Sequence, residues 1–216
     1  MATGPGRLSP HVGGALYIAG TGSFAAELID IAGAASFEIA GLLELVDDSR
    51  VGQEFHGLPV IAVDALPDAG ARAILAVGGD RREAGARLAE AGWETATVVH
   101  PAAHVSGTAE LEPGAVIFPG AVIGAHARIG RHALVSRGAL VGHHVTIGEF
   151  ATVGPGANIA GWSELGTGGH LAMGSIVVNG KRVGSGSLVA AGAVVTADVD
   201  RDERVQGVPA RPYRGR

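Results

Sequence analysis

Residues 141–161 read VGHHVTIGEFATVGPGANIAG, with His143 and His144 side by side among Val, Ile, Ala and Gly. An imidazole near neutrality can take a proton from an attacking nucleophile, or bind a metal, or merely sit solvated in a turn. A base that serves acyl transfer needs a second part, a fixed donor facing the oxyanion that forms at the acyl carbon. Gly161 lies 18 residues after His143. A second stretch, GTGSFA (Gly20–Ala25), follows the apolar run ALYIAG. A tight strand-to-helix turn of this kind, at Gly20, Gly22 and Ser23, can offer backbone N–H groups and a helix N-terminus to a phosphate. The same turn also occurs for packing alone. Asp47 and Asp48 follow some 25 residues later, where a carboxylate could meet a ribose or sugar hydroxyl.

Something must position these residues, and the second half of the chain shows what. From Val105, every sixth residue to Val195 is Val, Ile or Leu, sixteen positions in all. Four residues after each, thirteen of the sixteen are Ala, Ser or Gly; Val145, Lys181 and Val199 are the exceptions. No heptad or 3.6-residue period fits the stretch, so it is not helical. A hexad of one aliphatic and one small residue predicts a parallel β-helix: short strands, inward aliphatics and corners turned on small residues. Three hexads per coil make 18 residues, so sixteen hexads make about five coils. Residues 18 apart then stack, as His143 and Gly161 do, and as His126, His144 and Trp162 do in one column.

The first half reads differently. ALYIAG (15–20), FEIAGLLEL (37–45), ARAILAVGG (71–79) and TATVVH (95–100) predict strands, while AELIDIAG and RREAGARLAEAG (81–92) have helical spacing. This alternation predicts a small parallel α/β sheet. The expected division is a loose tail at 1–14, an α/β domain at 15–100, the β-helix at 101–200 and a C-terminal tail at 201–216.

Apolar residues make up 47% of the 216, aromatics only 4%, and glycine occurs 36 times, so the core is packed from small aliphatics. A net charge of −5 argues against nucleic acid as the main partner. There is no cysteine, which excludes disulfides and a thiol nucleophile. No apolar run approaches the roughly 18 residues of a membrane span. The N-terminal residues contain no apolar signal core, and the expected location is the cytoplasm.

Taken in order, GTGSFA, LELVDD, FHGLPV, AVGGDRR, VVHPAAHVS, VGHHVTIGEF, VGPGANIAG, AAGAVVTADV and GVPAR resemble the two-domain nucleotide-sugar acetyltransferases of the bacillosamine N-acetyltransferase and sialic acid O-acetyltransferase type. These are left-handed β-helix hexapeptide acyltransferases. The resemblance implies a Rossmann-like N-terminal domain, a left-handed β-helix and a homotrimer with acyl-CoA between neighbours. It implies acetyl-CoA as co-substrate and a nucleotide-linked amino sugar as acceptor, with no metal, nucleic acid or membrane partner. His143 falls on the family's base and the Gly161 N–H on its oxyanion donor. Thr152, Met173 and Ala191 join Gly161 as acyl-CoA contacts. Gly20, Gly22, Ser23, Asp47, Asp48, Gly78 and Gly79 are the implied nucleotide-sugar contacts.

Three positions depart from the family. His144 replaces the carboxylate that orients the base, Ser136 replaces an Asn, and Thr152 replaces a second His. A neutral imidazole can still accept a hydrogen bond, so His144 joins His143 as a candidate catalytic residue, with stacking in its column as the competing role. These departures keep two further readings open: O-acylation of a sugar hydroxyl, or a silent nucleotide-sugar-binding trimer. The β-helix also hosts a zinc carbonic anhydrase, whose paired ligands stand five residues apart. Here His126 and His132 differ by six, and His143 and His144 by one, so no metal is expected. Lys181 and Arg182 read as an outward turn or as CoA phosphate contacts. Arg211, Arg214 and Arg216 read as contacts to the CoA 3′-phosphate or as solvated charges.

Overall fold

The computed structural model describes residues 14–46, 48–65, 70–78 and 81–213. The chain separates into two compact units that meet in sequence at His100 and Pro101. The tail at 1–13, Asp47, Gly79, Arg214 and Arg216 lie outside the described residues.

The first unit is built on a six-stranded sheet. Its elements are β1 (Leu16–Ala19), α1 (Ser23–Ala34), β2 (Ile39–Glu44), β3 (Glu54–Phe55), β4 (Leu58–Ala62), β5 (Arg72–Leu75), α2 (Arg82–Glu90) and β6 (Glu94–Thr95). The order is β3-β4-β2-β1-β5-β6, parallel throughout except for the β3–β4 hairpin. Central β1 reads LYIA and is buried at Leu16, Ile18 and Ala19, as a strand covered on both faces must be. The β3–β4 hairpin went unforeseen because FHGLPV has no alternation; its turn is His56–Gly57, both at positive φ. The single strand expected over 95–100 is two short ones, β6 and β7 (Val98–Val99), interrupted at Ala96 and Thr97.

The second unit is a parallel β-solenoid of two-residue strands with coil-to-coil register of 18 residues. Of the sixteen hexad aliphatics, Val105 and Leu111 at the open end are half-buried and the other fourteen are buried. Val145 and Val199, which broke the small-residue rule, are buried as well. Three sheets form the faces. One carries Leu140–Val141 between Val122–Ile123 and Asn158–Ile159; the next carries Thr146–Ile147; the last carries Thr152–Val153. Backbone hydrogen bonds join the coils, such as Leu140 N–H to Ala157 O at 2.9 Å and Gly142 N–H to Ile159 O at 2.8 Å.

The corners differ in a way that periodicity does not reveal. Each corner has one residue in the left-handed region, where a Cβ is disfavoured. At one corner these are all glycine: Gly120, Gly138, Gly156, Gly174 and Gly192. At the corner after Leu140–Val141 they are His126, His144 and Trp162, at φ of 57°, 57° and 61°, followed by Gly180. A non-glycine residue there costs of order 1 kcal/mol or more, so three stacked aromatic side chains mark a place where the side chains matter. The residues past 200, expected as a tail, extend the solenoid instead. Arg204–Gln206 pairs in parallel with Leu188–Val189, and Arg211–Pro212 folds back against it.

Candidate active site

His143 follows Val141–Gly142 at the aromatic corner, with its side chain exposed. Its Nδ1 lies 3.2 Å from Nδ1 of His144, a hydrogen bond in which one ring donates and the other accepts. His144 is half-covered. Trp162 stacks on its ring, with centroids 4.0 Å apart and planes at 14°, and His126 covers the other side at 4.8 Å. Main-chain bonds fix the column: His144 N–H donates to Ala125 O at 2.9 Å, and Trp162 N–H to His143 O at 3.1 Å. Loss of water around the ring, and then the charges of His126 and His143, hold the pKa of His144 below its ordinary value of 6.5.

Gly161 lies against the His143 ring. A Cβ added there would stand 2.6 Å from Cε1 and 2.7 Å from Nε2 of His143, so any side chain there would have to displace the ring. The Gly161 carbonyl accepts from Gly180 N–H at 3.0 Å, while among the described residues its own N–H has no acceptor. One corner thus offers an imidazole Nε2 and a free backbone donor side by side, the two parts acyl transfer needs.

The other expected acyl-CoA contacts are elsewhere on the solenoid. Thr152 is half-buried on the third sheet, in register with Leu134 and His170. Met173 and Ala191 stack on the glycine corner, where Gly192 N–H donates to Met173 O at 2.9 Å. Within one chain these three do not share the corner of His143. Arg182 lies on a strand (Arg182–Val183) and not in a turn, with its guanidinium 3.7 Å from the Asp198 carboxylate. Among the described residues no group of three His, Cys, Asp or Glu is placed to hold a metal ion.

The α/β unit has its own site. Residues 20–24, 44–46 and 76–78 line an open cavity of about 280 Å³ at the C-terminal ends of β1, β2 and β5. This is where parallel sheets hold ligands. Gly20 has φ 134°, and a Cβ there would meet Ala76 O at 2.6 Å, which brings β1 and β5 close. Gly22 caps α1 with no side-chain cap, no acidic residue lies in the first turn, and Ser23 is exposed, so the helix N-terminus is open to an anion. Gly78 lines the same cavity. Asp48 begins a short 3₁₀ turn (Asp48–Arg50) just beyond β2.

The acid in this cavity is Glu44, which sequence reasoning missed. Its carboxylate is buried, accepts from Thr21 Oγ1 at 2.7 Å, and accepts from the N–H groups of Leu45 and Val46 at 3.0 and 3.2 Å. Arg50 donates to Thr21 O and Oγ1 at 2.7 and 2.8 Å and lies over the Phe55 ring. The available signal was a lone Glu in the run LLELV, at the point where the strand ends.

No family model and no curated protein matches the chain. Solved structures do. A histidine-to-asparagine mutant of perosamine N-acetyltransferase from Caulobacter crescentus, in complex with CoA and GDP-perosamine, is 27% identical. The alignment covers 95% of this chain and 99% of that one, at a TM-score of 0.84. The acetyltransferase domain of PglB from Neisseria gonorrhoeae, in complex with acetyl coenzyme A, is also 27% identical over 93% of this chain and 100% of that one, at 0.82. The chain resembles the hexapeptide-repeat nucleotide-sugar acetyltransferases. The resemblance runs through both units. WeeI from Acinetobacter baumannii, 21% identical over 92% of this chain and 99% of that one with a TM-score of 0.73, shares the fold.

Proposed function

We propose that this chain is an acyl-CoA-dependent N-acyltransferase, acetyl-CoA being the expected donor, that acts on the amino group of a nucleotide-linked sugar. The carrying observation is the corner where Nε2 of His143 adjoins Gly161 and its unpaired N–H. The amine nitrogen attacks the thioester carbonyl carbon, and the carbonyl electron pair moves onto oxygen, facing the Gly161 N–H. His143 Nε2 takes the amine proton. Collapse breaks the C–S bond, and the proton passes from His143 to the departing sulfur. In this reading the α/β unit is Rossmann-like and takes the nucleotide-sugar in the cavity of Gly20, Gly22, Ser23, Gly78 and Glu44. Asp47, Asp48 and Gly79 remain proposed contacts. Thr152, Met173 and Ala191 meet acyl-CoA from a neighbouring chain in a left-handed, trimeric assembly. CoA thioesters and nucleotide-sugars are cytoplasmic metabolites, and the protein is placed with them.

Support for the trimer comes from unlike faces. Val122, Leu140 and Ile176 point outward in one column and are 39%, 43% and 40% exposed. On the next sheet the equivalent column is Glu110, Arg128, Thr146, Glu164 and Arg182. The ionic face suits water and the apolar face suits another chain.

The test supplies acetyl-CoA with UDP-, TDP- and GDP-linked amino sugars and weighs the products. One added acetyl group on the amine, absent with His143→Ala, supports the reading. Acetylation of a hydroxyl would mean O-acyl transfer. Binding of a nucleotide-sugar without acyl gain from any acyl-CoA would mean a silent binding protein.

A further inference from the structure

We propose that His144 is a positioning residue for His143: clamped between His126 and Trp162, its Nδ1 accepts the hydrogen bond from His143 Nδ1–H, and it can do so only while it is neutral. The proposal rests on His143 as the base. The geometry leaves two tautomer pairs for the 3.2 Å Nδ1–Nδ1 bond. If His143 donates, its Nε2 carries the lone pair, and that nitrogen lies beside Gly161. If His144 donates, His143 carries its proton on Nε2 and can take none there. Only the first arrangement works. As the proton arrives at Nε2, the His143 imidazolium keeps its Nδ1–H on His144, which spreads the charge as an orienting carboxylate would.

Protonation of His144 breaks this device, because both of its ring nitrogens then donate and neither can accept. The bond either reverses or is lost. The column works against protonation: the indole of Trp162 shields one ring face at 4.0 Å, and the titratable groups that face the ring are His126 and His143, both of which repel a cation. The neighbouring coils contribute no carboxylate at this column, which runs His126, His144, Trp162 and Gly180. The reaction therefore requires two neutral imidazoles where a His–carboxylate pair requires one.

Two substitutions separate acceptance from packing. His144→Asn places Oδ1 near the position of Nδ1, and Asn tolerates positive φ, but the stack is lost. His144→Phe keeps a ring in the stack without any acceptor. Phe150 already occupies the left-handed position of another corner at φ 56°, so a phenylalanine is tolerated there. Thermal melts check that both variants fold. We expect His144→Phe to lose roughly 10–100-fold in turnover, the scale seen when a histidine's orienting partner is removed, and His144→Asn to keep clearly more. The acid limb of the pH–rate profile should be one proton less steep in His144→Asn than in wild type; titration of the amine is common to both and cancels. Nitrogen-15 NMR of His143 reads the tautomer directly at about pH 8, above the ordinary histidine range. The expected result is Nδ1–H with a lone pair on Nε2 in wild type, and loss of that preference in His144→Phe. A wild-type His143 protonated on Nε2, or a His144→Phe variant as active as wild type, overturns the proposal. The NMR result does so whether or not acyl transfer has been found, so it fails separately from the proposed function.

Discussion

At the scale of single residues, the proposed reaction gives His143 and Gly161 distinct parts of one step. His143→Ala should lower turnover by about 10²–10⁴-fold, the usual contribution of general acid–base catalysis. Acyl-CoA affinity should stay nearly unchanged, because a base acts in the transition state. Turnover and acyl-CoA binding measured in parallel check this; equal loss of both would move His143 into the binding site. For Gly161 the structure sharpens what the sequence implied. The resemblance implies an oxyanion donor and acyl-CoA contact at Gly161, and in the structure even one Cβ there collides with the His143 ring. Gly161→Ala should therefore displace the base and lose about 10²-fold in turnover, as misplacement by about 1 Å does. Wild-type turnover in Gly161→Ala would remove the proposed contact. The pair was legible in the sequence because a solenoid turns an 18-residue separation into a spatial contact. Glu44 was not legible. Choosing between Glu44, Asp47 and Asp48 depends on where β2 stops, and element ends are what a hydrophobic pattern resolves least.

At the scale of elements, the aromatic corner contributes a pH dependence to the stability of the fold. His144 has a lowered pKa in the folded chain, with an unfolded value near 6.5. Between the two values the unfolded chain binds more protons, so stability rises with pH across that window. The contribution is intact above about pH 6.5 and is lost as pH falls through the folded pKa. Unfolding midpoints in urea at about pH 8 and about pH 5 should therefore differ more in wild type than in His144→Asn, which has no such group to protonate. An equal difference in both would mean that the column does not resist protonation. The existence of this column could be read from His126, His144 and Trp162 standing 18 apart, but its strain could not. All corners have the same hexad pattern, and only the backbone shows that these three occupy a position that is glycine throughout the corner of Gly120, Gly138, Gly156, Gly174 and Gly192. The β3–β4 hairpin escaped for a related reason: it follows from two positive-φ residues, His56 and Gly57, and not from any alternation.

At the scale of the whole molecule, the solenoid was visible because sixteen aliphatics at a strict six-residue spacing leave few other folds for such a repeat. What the repeat conceals is which faces differ, since the outward position of each hexad is free to vary. Reading those positions by sheet separates an ionic column from an apolar one, and the apolar column adjoins the corner made only of glycine. At four of these corner glycines, Gly138, Gly156, Gly174 and Gly192, a Cβ would meet nothing within 4 Å, so the corner presents bare backbone that another chain can approach. Leu140 and Ile176 lie two coils apart on the apolar face, with half-buried Asn158 between them. Replacing both with Glu puts two carboxylates where the proposed interface excludes water, and an unpaired buried charge costs several kcal/mol. On the surface of a lone chain the same change costs little, about 0.5 kcal/mol at each site. The double variant should therefore keep its fold by circular dichroism, shift from trimer to monomer by light scattering, and lose acyl transfer, because Thr152, Met173 and Ala191 no longer meet His143 from a neighbour. A variant that stays trimeric would put the interface on another face. A monomer that still transfers acyl groups at the wild-type rate would show that one chain holds the complete site.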